Sequence, residues 1–160
     1  TFIYALIYGA GDEKIGSIIK GTRAEGKALR ERFLSSLPTL RTLKERVERA
    51  SGKEYLKGLD GRKIYVRHRH ASLNTLLQGG GAIAMKKAMC ILNDYIKENK
   101  IDAKIVANIH DEWQIQVKES QSSKLGELGI KSIQQAGEYF NMRCPLNGEY
   151  KVGDNWSETH

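Results

Sequence analysis

The chain has 160 residues, enough for one domain with a buried core, and its formal net charge is +7. An excess of this size favours a polyanionic partner such as nucleic acid, although a basic surface without such a partner has the same charge. Cys90 and Cys144 form no CxxC pair, which argues against a disulfide framework or a zinc site and fits a reducing cytosol. No apolar run approaches the ~18 residues of a membrane span, so no membrane partner is expected.

The first ten residues, TFIYALIYGA, are predicted to form a helix. Tyr4 and Tyr8 are four residues apart, which places both rings on one helical face. Gly9 and Gly11 are expected to end this helix. From the pattern alone, the two rings are interpreted as core packing.

Three further helices and a hairpin follow. Helices are predicted over residues 12–19, 22–37 and 38–50, the last beginning at Pro38, because proline suits a first helical turn. Residues 53–56 and 62–66 flank the turn Gly58-Leu59-Asp60-Gly61, and this pattern predicts a β-hairpin.

The second half of the chain begins with a long helix, predicted over residues 71–99. Its centre contains Gly79-Gly80-Gly81, which suggests close approach of a large partner or a crowded helix crossing. A second hairpin is predicted from residues 104–109 and 113–117, joined at His110-Asp111-Glu112. A final helix is predicted over residues 120–140, and residues 148–160 are expected to be irregular.

The acidic end of the second hairpin is a candidate metal site. Adjacent carboxylates at Asp111 and Glu112 repel each other, so a site that keeps both usually recruits a cation. Mg²⁺ commonly takes one or two carboxylates together with substrate phosphate oxygens. The alternative is an ordinary polar turn, with His110 as a hydrogen-bonding turn residue.

Several sequence blocks taken together resemble DNA polymerases of family A. They are residues 1–11, GLDGRKIYVR at 58–67, ASLNTLLQGGGA at 71–82, the HDE triplet at 110–112 and the tail GDNWSETH at 153–160. YGAGDEKIG, GLDGRK and LNTLLQ are most similar to the branch of T-odd phages. The resemblance implies an α/β fold in the broad (α+β) sense. Residues 1–52 would be a fingers portion, and residues 53–160 a palm portion with antiparallel hairpins.

The resemblance assigns the first helix to nucleotide binding. Tyr8 and Gly9 match the tyrosine-glycine pair of the fingers helix, and Tyr4 matches the aromatic position near the incoming sugar. The family's triphosphate-binding Lys would directly precede Thr1. Neither this Lys nor the family's triphosphate-binding Arg is present in this sequence. A tyrosine at position 4 implies poor discrimination against dideoxynucleotides, because its hydroxyl can replace a hydrogen bond lost with the 3′-OH.

The resemblance also implies contacts with primer–template DNA. Asn74 and Gln78 lie four residues apart and match residues that reach the minor groove, where every base pair presents an acceptor. His70 lies four residues before Asn74, where phage members carry histidine. Positive charge near this face is added by Arg62, Arg67 and Arg69. The alternative interpretation of these three residues is a solvated basic surface that contacts no DNA.

The HDE triplet matches the third palm motif of the family. By that resemblance Asp111 binds metal, Glu112 supports the metal or the primer end, and His110 positions the primer strand. The complete enzyme would use two Mg²⁺ ions and deoxynucleoside triphosphates. Trp113 departs from the usual aliphatic residue and is expected to pack on the palm.

The function implied is that of a C-terminal fragment of a phage-type DNA-directed DNA polymerase. The first palm motif, with the other catalytic Asp, is not in this sequence. We therefore expect the chain to be inactive until joined to an N-terminal polymerase part, and to act in the cytoplasm of an infected bacterial host. The alternatives are a non-catalytic DNA-binding palm module and a fragment of a single-subunit RNA polymerase.

Thr1 raises a separate hypothesis. Protein splicing requires Ser, Thr or Cys as the first residue after an intein, because that nucleophile takes over the acyl group. Thr1 meets this requirement. A naturally split gene and an experimentally chosen fragment are the competing explanations.

Overall fold

The computed structural model describes residues 2–53 and 55–159, which form helices and two small antiparallel sheets, the predicted α/β (α+β) class. The chain divides into two compact units, Thr1–Gly79 and Gly80–His160. The functional division expected from the sequence, fingers at 1–52 and palm at 53–160, remains a prediction. Thr1 lies outside the described residues, and so does the splicing hypothesis that depends on it.

The predicted helices and both predicted hairpins are present. The helices are α1 (Phe2–Ile7), α2 (Asp12–Ile18), α3 (Arg23–Ser36), α4 (Pro38–Ala50), α5 (Ser72–Glu98), α6 (Ser122–Tyr139) and α7 (Trp156–Thr159). The strands are β1 (Tyr55–Lys57), β2 (Lys63–Tyr65), β3 (Ala103–Ile109) and β4 (Glu112–Val117). The prediction of a wholly irregular tail is wrong, since α7 lies within it. None of the helices in the described part of the chain is long and apolar enough to cross a membrane.

Helix α3 begins at a capping box. The Thr22 side chain accepts from the backbone N–H of Glu25, and the Glu25 carboxylate accepts from the Thr22 backbone N–H at 2.7 Å and from its hydroxyl at 2.9 Å. Hydrogen bonds from that N–H and that hydroxyl lower the pKa of Glu25 below its ordinary value. The capping box therefore fixes where α3 starts after the turn from α2.

The backbones of helices α2 and α3 are in direct contact where the helices cross. A Cβ added at Gly26 would lie 2.1 Å from the Asp12 carbonyl oxygen and 2.5 Å from the Gly16 backbone nitrogen. The Arg30 guanidinium also lies 3.0 Å from an Asp12 carboxylate oxygen. Glycine is therefore required at this crossing because any side chain would separate the two helices.

The first unit has an apolar cluster beneath its hairpin. Val47, Leu56 and Leu73 are buried there and come from α4, β1 and α5. Partly buried side chains complete the cluster: Leu40, Val66 and Leu76. This packing ties the hairpin β1–β2 to the start of α5, where the predicted DNA-binding residues lie.

The second unit is built around Leu92, Ile101 and Leu125. Side chains of the β3–β4 hairpin pack against this cluster, among them Ala103, Trp113, Ile115 and Val117. Trp113 is thus a packing residue, in agreement with the sequence-based prediction. One face of the hairpin is anchored to the core, and the other face remains available for polar side chains.

The β3–β4 hairpin contains a bulge at Val106. Ile105 pairs with Ile115, whereas Ala107 already pairs with Gln114, so β3 carries one extra residue. Beyond the bulge, Asn108 lies opposite Trp113 and Ile109 lies opposite Glu112. Because successive residues of a strand point to opposite faces and Trp113 and Ile115 pack on the core, Glu112 and Gln114 are on the face away from it.

The segment between α6 and α7 is irregular but packed. The Tyr150 ring lies where a Cβ at Gly126 would be, within 2.3 Å of it, and Leu146 lies against Gly137 in the same way at 3.0 Å. These contacts hold the segment along α6 and lead the chain to α7.

Candidate functional site

The two tyrosines of the first helical segment are exposed. Tyr4 is 72% exposed and Tyr8 is 54% exposed, whereas Leu6 between them is buried. The alternative in which both rings pack in the core is therefore wrong. Large exposed aromatic surfaces next to one another are available to a ligand that offers a planar base or a sugar ring for contact.

Gly9 brings the predicted nucleotide-binding segment against the predicted DNA-binding segment. Its backbone has φ of +77°, and a Cβ there would lie 2.4 Å from the carbonyl oxygen of His70. A side chain is excluded both by the left-handed backbone and by the contact. Gly9 and His70 also line one pocket of about 310 Å³, together with Arg30 and Lys44.

Tyr8 and Gln78 join the two predicted binding sets directly. The Gln78 side-chain amide donates to the Tyr8 hydroxyl at 3.0 Å, across 70 residues of sequence. Asn74 lies one turn earlier on α5, and its Oδ1 is buried with no hydrogen-bond partner in the described part of the chain. Sequence reasoning placed these residues in separate roles, and no local pattern could have paired them.

The basic residues near α5 differ in their surroundings. The Arg62 guanidinium donates to the Asp60 carboxylate at 2.6 Å within the β1–β2 turn, so part of its charge is neutralised. Arg67 and Arg69 are exposed. His70 is exposed and stacks on His68, with ring centroids 5.5 Å apart.

The glycine run in α5 has two different environments. A Cβ at Gly79 would lie 2.7 Å from the Ile64 side chain, whereas a Cβ at Gly81 would meet nothing within 4 Å. Gly79 is therefore explained by packing of the β1–β2 hairpin on the helix. The space at Gly81 is compatible with close approach of a ligand.

The acidic end of the β3–β4 hairpin is a two-residue turn. His110 has φ of +53°, a left-handed conformation that costs energy for a residue other than glycine, and Asp111 is exposed beside it. Glu112 lies outside the turn, as the first residue of β4. The turn therefore presents the Asp111 carboxylate outward, while Glu112 is directed by the strand.

Glu112 is held by side chains that sequence reasoning missed. Its Oε1 accepts from Trp156 Nε1 at 3.1 Å and from Gln114 Nε2 at 2.5 Å. The Thr159 hydroxyl donates to Gln114 Oε1 at 3.2 Å. The period of two from Glu112 to Gln114 is the one sequence signal that could have indicated part of this network.

The fit of this end to Mg²⁺ is partial. An exposed carboxylate on a rigid turn suits a hard cation, and Mg²⁺ needs few protein ligands when substrate phosphates supply others. Asp111 meets that requirement as one ligand. Within residues 2–53 and 55–159, no group of three or more His, Cys, Asp or Glu side chains could hold a metal ion.

Comparison with known proteins identifies the relatives of this chain. The family model described as "DNA polymerase family A" matches residues 1–158. The chain is 44% identical over 167 residues to the DNA-directed DNA polymerase of Escherichia phage Phieco32, and 35% identical over 185 residues to that of Escherichia phage T7. Both alignments cover 100% of this chain, but it spans only about a quarter of each relative, 27% and 26% respectively.

A solved structure has a similar fold. The POL domain of Pol1 from M. smegmatis, in complex with DNA primer-template and dNTP, matches 84% of this chain with a TM-score of 0.75. The match covers 26% of that chain at 24% sequence identity, a level that supports the fold alone.

Proposed function

This chain belongs to DNA polymerase family A, and we propose that it is the C-terminal portion of a phage-type DNA-directed DNA polymerase. The observation that carries this proposal is the exposed Asp111 carboxylate on the two-residue turn of a hairpin whose other face is fixed to the core. In the proposal, template-directed nucleotide addition takes place at this turn during replication in the cytoplasm of an infected bacterial host.

In the mechanism, Asp111 is the chain's metal-binding carboxylate, and Glu112 assists it. Two Mg²⁺ ions would supply charge neutralisation and activation of the primer 3′-hydroxyl. Asp111 is free to turn toward the substrate phosphates because it lies in the turn. Glu112 is a supporting carboxylate, because its Oε1 already accepts two N–H donors. His110 sets the turn and positions the primer strand.

The nucleotide and DNA contacts are proposed for the first unit. Tyr4 and Tyr8 offer exposed rings to the incoming deoxynucleoside triphosphate, and Gly9 lets the segment after α1 approach His70. Further residues form the proposed primer–template surface: His70, Asn74, Gln78, Arg62 and Arg67. The Gln78 amide already donates to the Tyr8 hydroxyl. Gln78 would therefore have to break this hydrogen bond in order to contact the minor groove.

The proposed site needs residues from another part of the enzyme. Asp111 and Glu112 alone cannot provide the ligands of two ions, and no larger acidic group exists within the described residues. The proposed partner is an N-terminal polymerase part that carries the other catalytic Asp. Joining through splicing at Thr1 is one route, and the coding sequence immediately upstream tests it, since a plain start codon without an intein-like frame rules it out.

Reconstitution tests the proposed function. This chain, mixed with or ligated to the N-terminal part of a phage family A polymerase, is expected to extend a primer in the presence of template, dNTPs and Mg²⁺. The chain alone is expected to give no extension. Extension by the chain alone, or none from any assembled enzyme that still binds DNA, would contradict the proposal.

A non-catalytic DNA-binding module is the second candidate. The observation in its favour is the absence of a complete metal-binding group within residues 2–53 and 55–159. This candidate predicts primer–template binding without extension in every assembled form. Extension with dNTPs excludes it, and extension with ribonucleotides in preference to dNTPs would indicate the RNA polymerase alternative.

Tyr4→Phe tests the nucleotide-binding assignment. Removing the exposed hydroxyl is expected to increase discrimination against dideoxynucleotides roughly tenfold or more, since one hydrogen bond to the substrate is lost. The measurement is the ratio of dNTP to ddNTP incorporation by the reconstituted enzyme. Tyr139→Phe, at another exposed tyrosine, is the matched control and is expected to leave the ratio unchanged.

A further inference from the structure

The C-terminal helix contacts the acidic end of the hairpin through a defined set of side chains. On that basis we propose that Trp156 is a positioning residue for the polymerase reaction: its indole N–H, together with Gln114, holds the Glu112 carboxylate in place beside Asp111. This inference rests on the proposed function for its catalytic consequence. The contact itself is a property of the second unit alone.

The geometry around Glu112 supports this role. Two neutral N–H donors, from Trp156 at 3.1 Å and from Gln114 at 2.5 Å, reach the same carboxylate oxygen. A glutamate side chain has three rotatable bonds, and two donors on one oxygen restrict it strongly. Held in this way, Glu112 is kept from rotating freely next to Asp111, whose position depends on the turn.

The donor from Gln114 is itself oriented by the tail. The Thr159 hydroxyl lies 3.2 Å from Gln114 Oε1 and 3.2 Å from the Trp156 carbonyl oxygen, and its contact with Gln114 Oε1 directs the Gln114 amide nitrogen toward Glu112. Residues from α7 therefore act on Glu112 twice, directly through Trp156 and indirectly through Thr159. Both routes converge on one carboxylate oxygen.

Hydrogen bonds within the tail fix the position of α7, which carries Trp156. The Glu158 carboxylate accepts from the Asp154 backbone N–H at 2.9 Å and from the Asn155 side-chain amide at 2.6 Å, which fixes the start of α7. Trp156 remains 48% exposed. Its hydrogen bond to Glu112 therefore adds to partial burial in holding the indole ring in place.

The catalytic test is a double-mutant cycle in the reconstituted polymerase. Trp156→Phe keeps an aromatic ring but removes the N–H donor, and it is expected to lower kcat roughly tenfold with KM for dNTP unchanged. The same substitution in the Glu112→Ala background is expected to cost nothing further, because its target is gone. Ser157→Ala, in the same short helix, is the control expected to keep full kcat. An equal loss from Trp156→Phe in both backgrounds overturns the inference.

A second readout does not depend on activity. The chain has two tryptophans, Trp113 and Trp156, so a ¹⁵N-labelled sample gives two indole N–H signals, and Trp156→Phe identifies one of them. Glu112→Ala is expected to shift the Trp156 signal and to leave the Trp113 signal in place. An unmoved Trp156 signal overturns the contact. Full activity of Asp111→Ala would instead contradict the proposed metal assignment, so the two failures are distinguishable.

Discussion

Replacing Asp111 with alanine is expected to lower nucleotide addition by the reconstituted polymerase by about 10³-fold or more, while primer–template binding changes little. The loss corresponds to several kcal/mol of charge stabilisation that a metal-bound carboxylate supports in phosphoryl transfer. Binding is spared because the proposed DNA contacts come from other residues. Single-turnover extension measures the first quantity, and a fluorescence anisotropy titration measures the second.

The matched control for Asp111 is Asp94→Ala. Asp94 is an exposed carboxylate on α5, so the two substitutions remove the same charge from the surface of the same unit. Asp94→Ala is expected to keep the extension rate within about twofold, as surface substitutions away from a site usually do. An Asp111→Ala enzyme that extends primers at the full rate would show that the metal assignment is wrong.

Replacing Gly26 with alanine is expected to lower the free energy of unfolding by about 3 kcal/mol. The new Cβ would overlap the Asp12 carbonyl oxygen and the Gly16 backbone, and backbone atoms cannot rotate away as a flexible side chain can. The higher helix propensity of alanine offsets only up to about 1 kcal/mol of this cost. Urea denaturation followed by circular dichroism measures the change.

Gly129→Ala provides the comparison for Gly26. Gly129 lies inside α6, and an added Cβ there would meet nothing within 4 Å. Alanine at this position is expected to be neutral or to stabilise the chain by up to about 1 kcal/mol. Equal effects of the two substitutions would mean that the α2–α3 crossing is not the cause of the loss.

Much of the fold could be predicted because its signals are local. Pro38 marks the first turn of α4, and Gly58 and Gly61 bracket the turn between β1 and β2. The apolar spacing in α3 and the alternation in β4 each depend on residues a few positions apart. Such patterns depend only on residues that are close in sequence. They can therefore be recognised without knowing which distant residues lie near them in the fold.

The features that could not be predicted depend on distant contacts. The Gln78–Tyr8 hydrogen bond joins residues 70 positions apart, and the Trp156–Glu112 bond joins residues 44 positions apart. Helix α7 has four residues, too few for a hydrophobic period, and its start is fixed by Glu158. Tyr4 and Tyr8 show the opposite case, since their spacing alone suggested a core face and the structure exposes them.

Only part of the candidate site could be predicted from the sequence. The resemblance to family A polymerases singled out Asp111 and Glu112, and the hairpin that carries them is where the sequence placed it. The resemblance already assigned metal binding to Asp111 and a supporting role to Glu112. What the resemblance could not supply is their surroundings: Asp111 lies in the turn, and Glu112 lies in the strand with two hydrogen-bond donors on one oxygen.

The bulge at Val106 has a consequence for which strand sets the face of the acidic end. Before the bulge the odd-numbered residue Ile105 shares a face with Ile115 of the core, and after it the odd-numbered Ile109 shares a face with Glu112. Loss of this one residue would leave a regular ladder in which Ala107 still pairs with Gln114 and Glu112 keeps its face. The bulge therefore changes the parity of β3 at Val106, while the alternation of β4, which sets the face of Glu112, stays continuous.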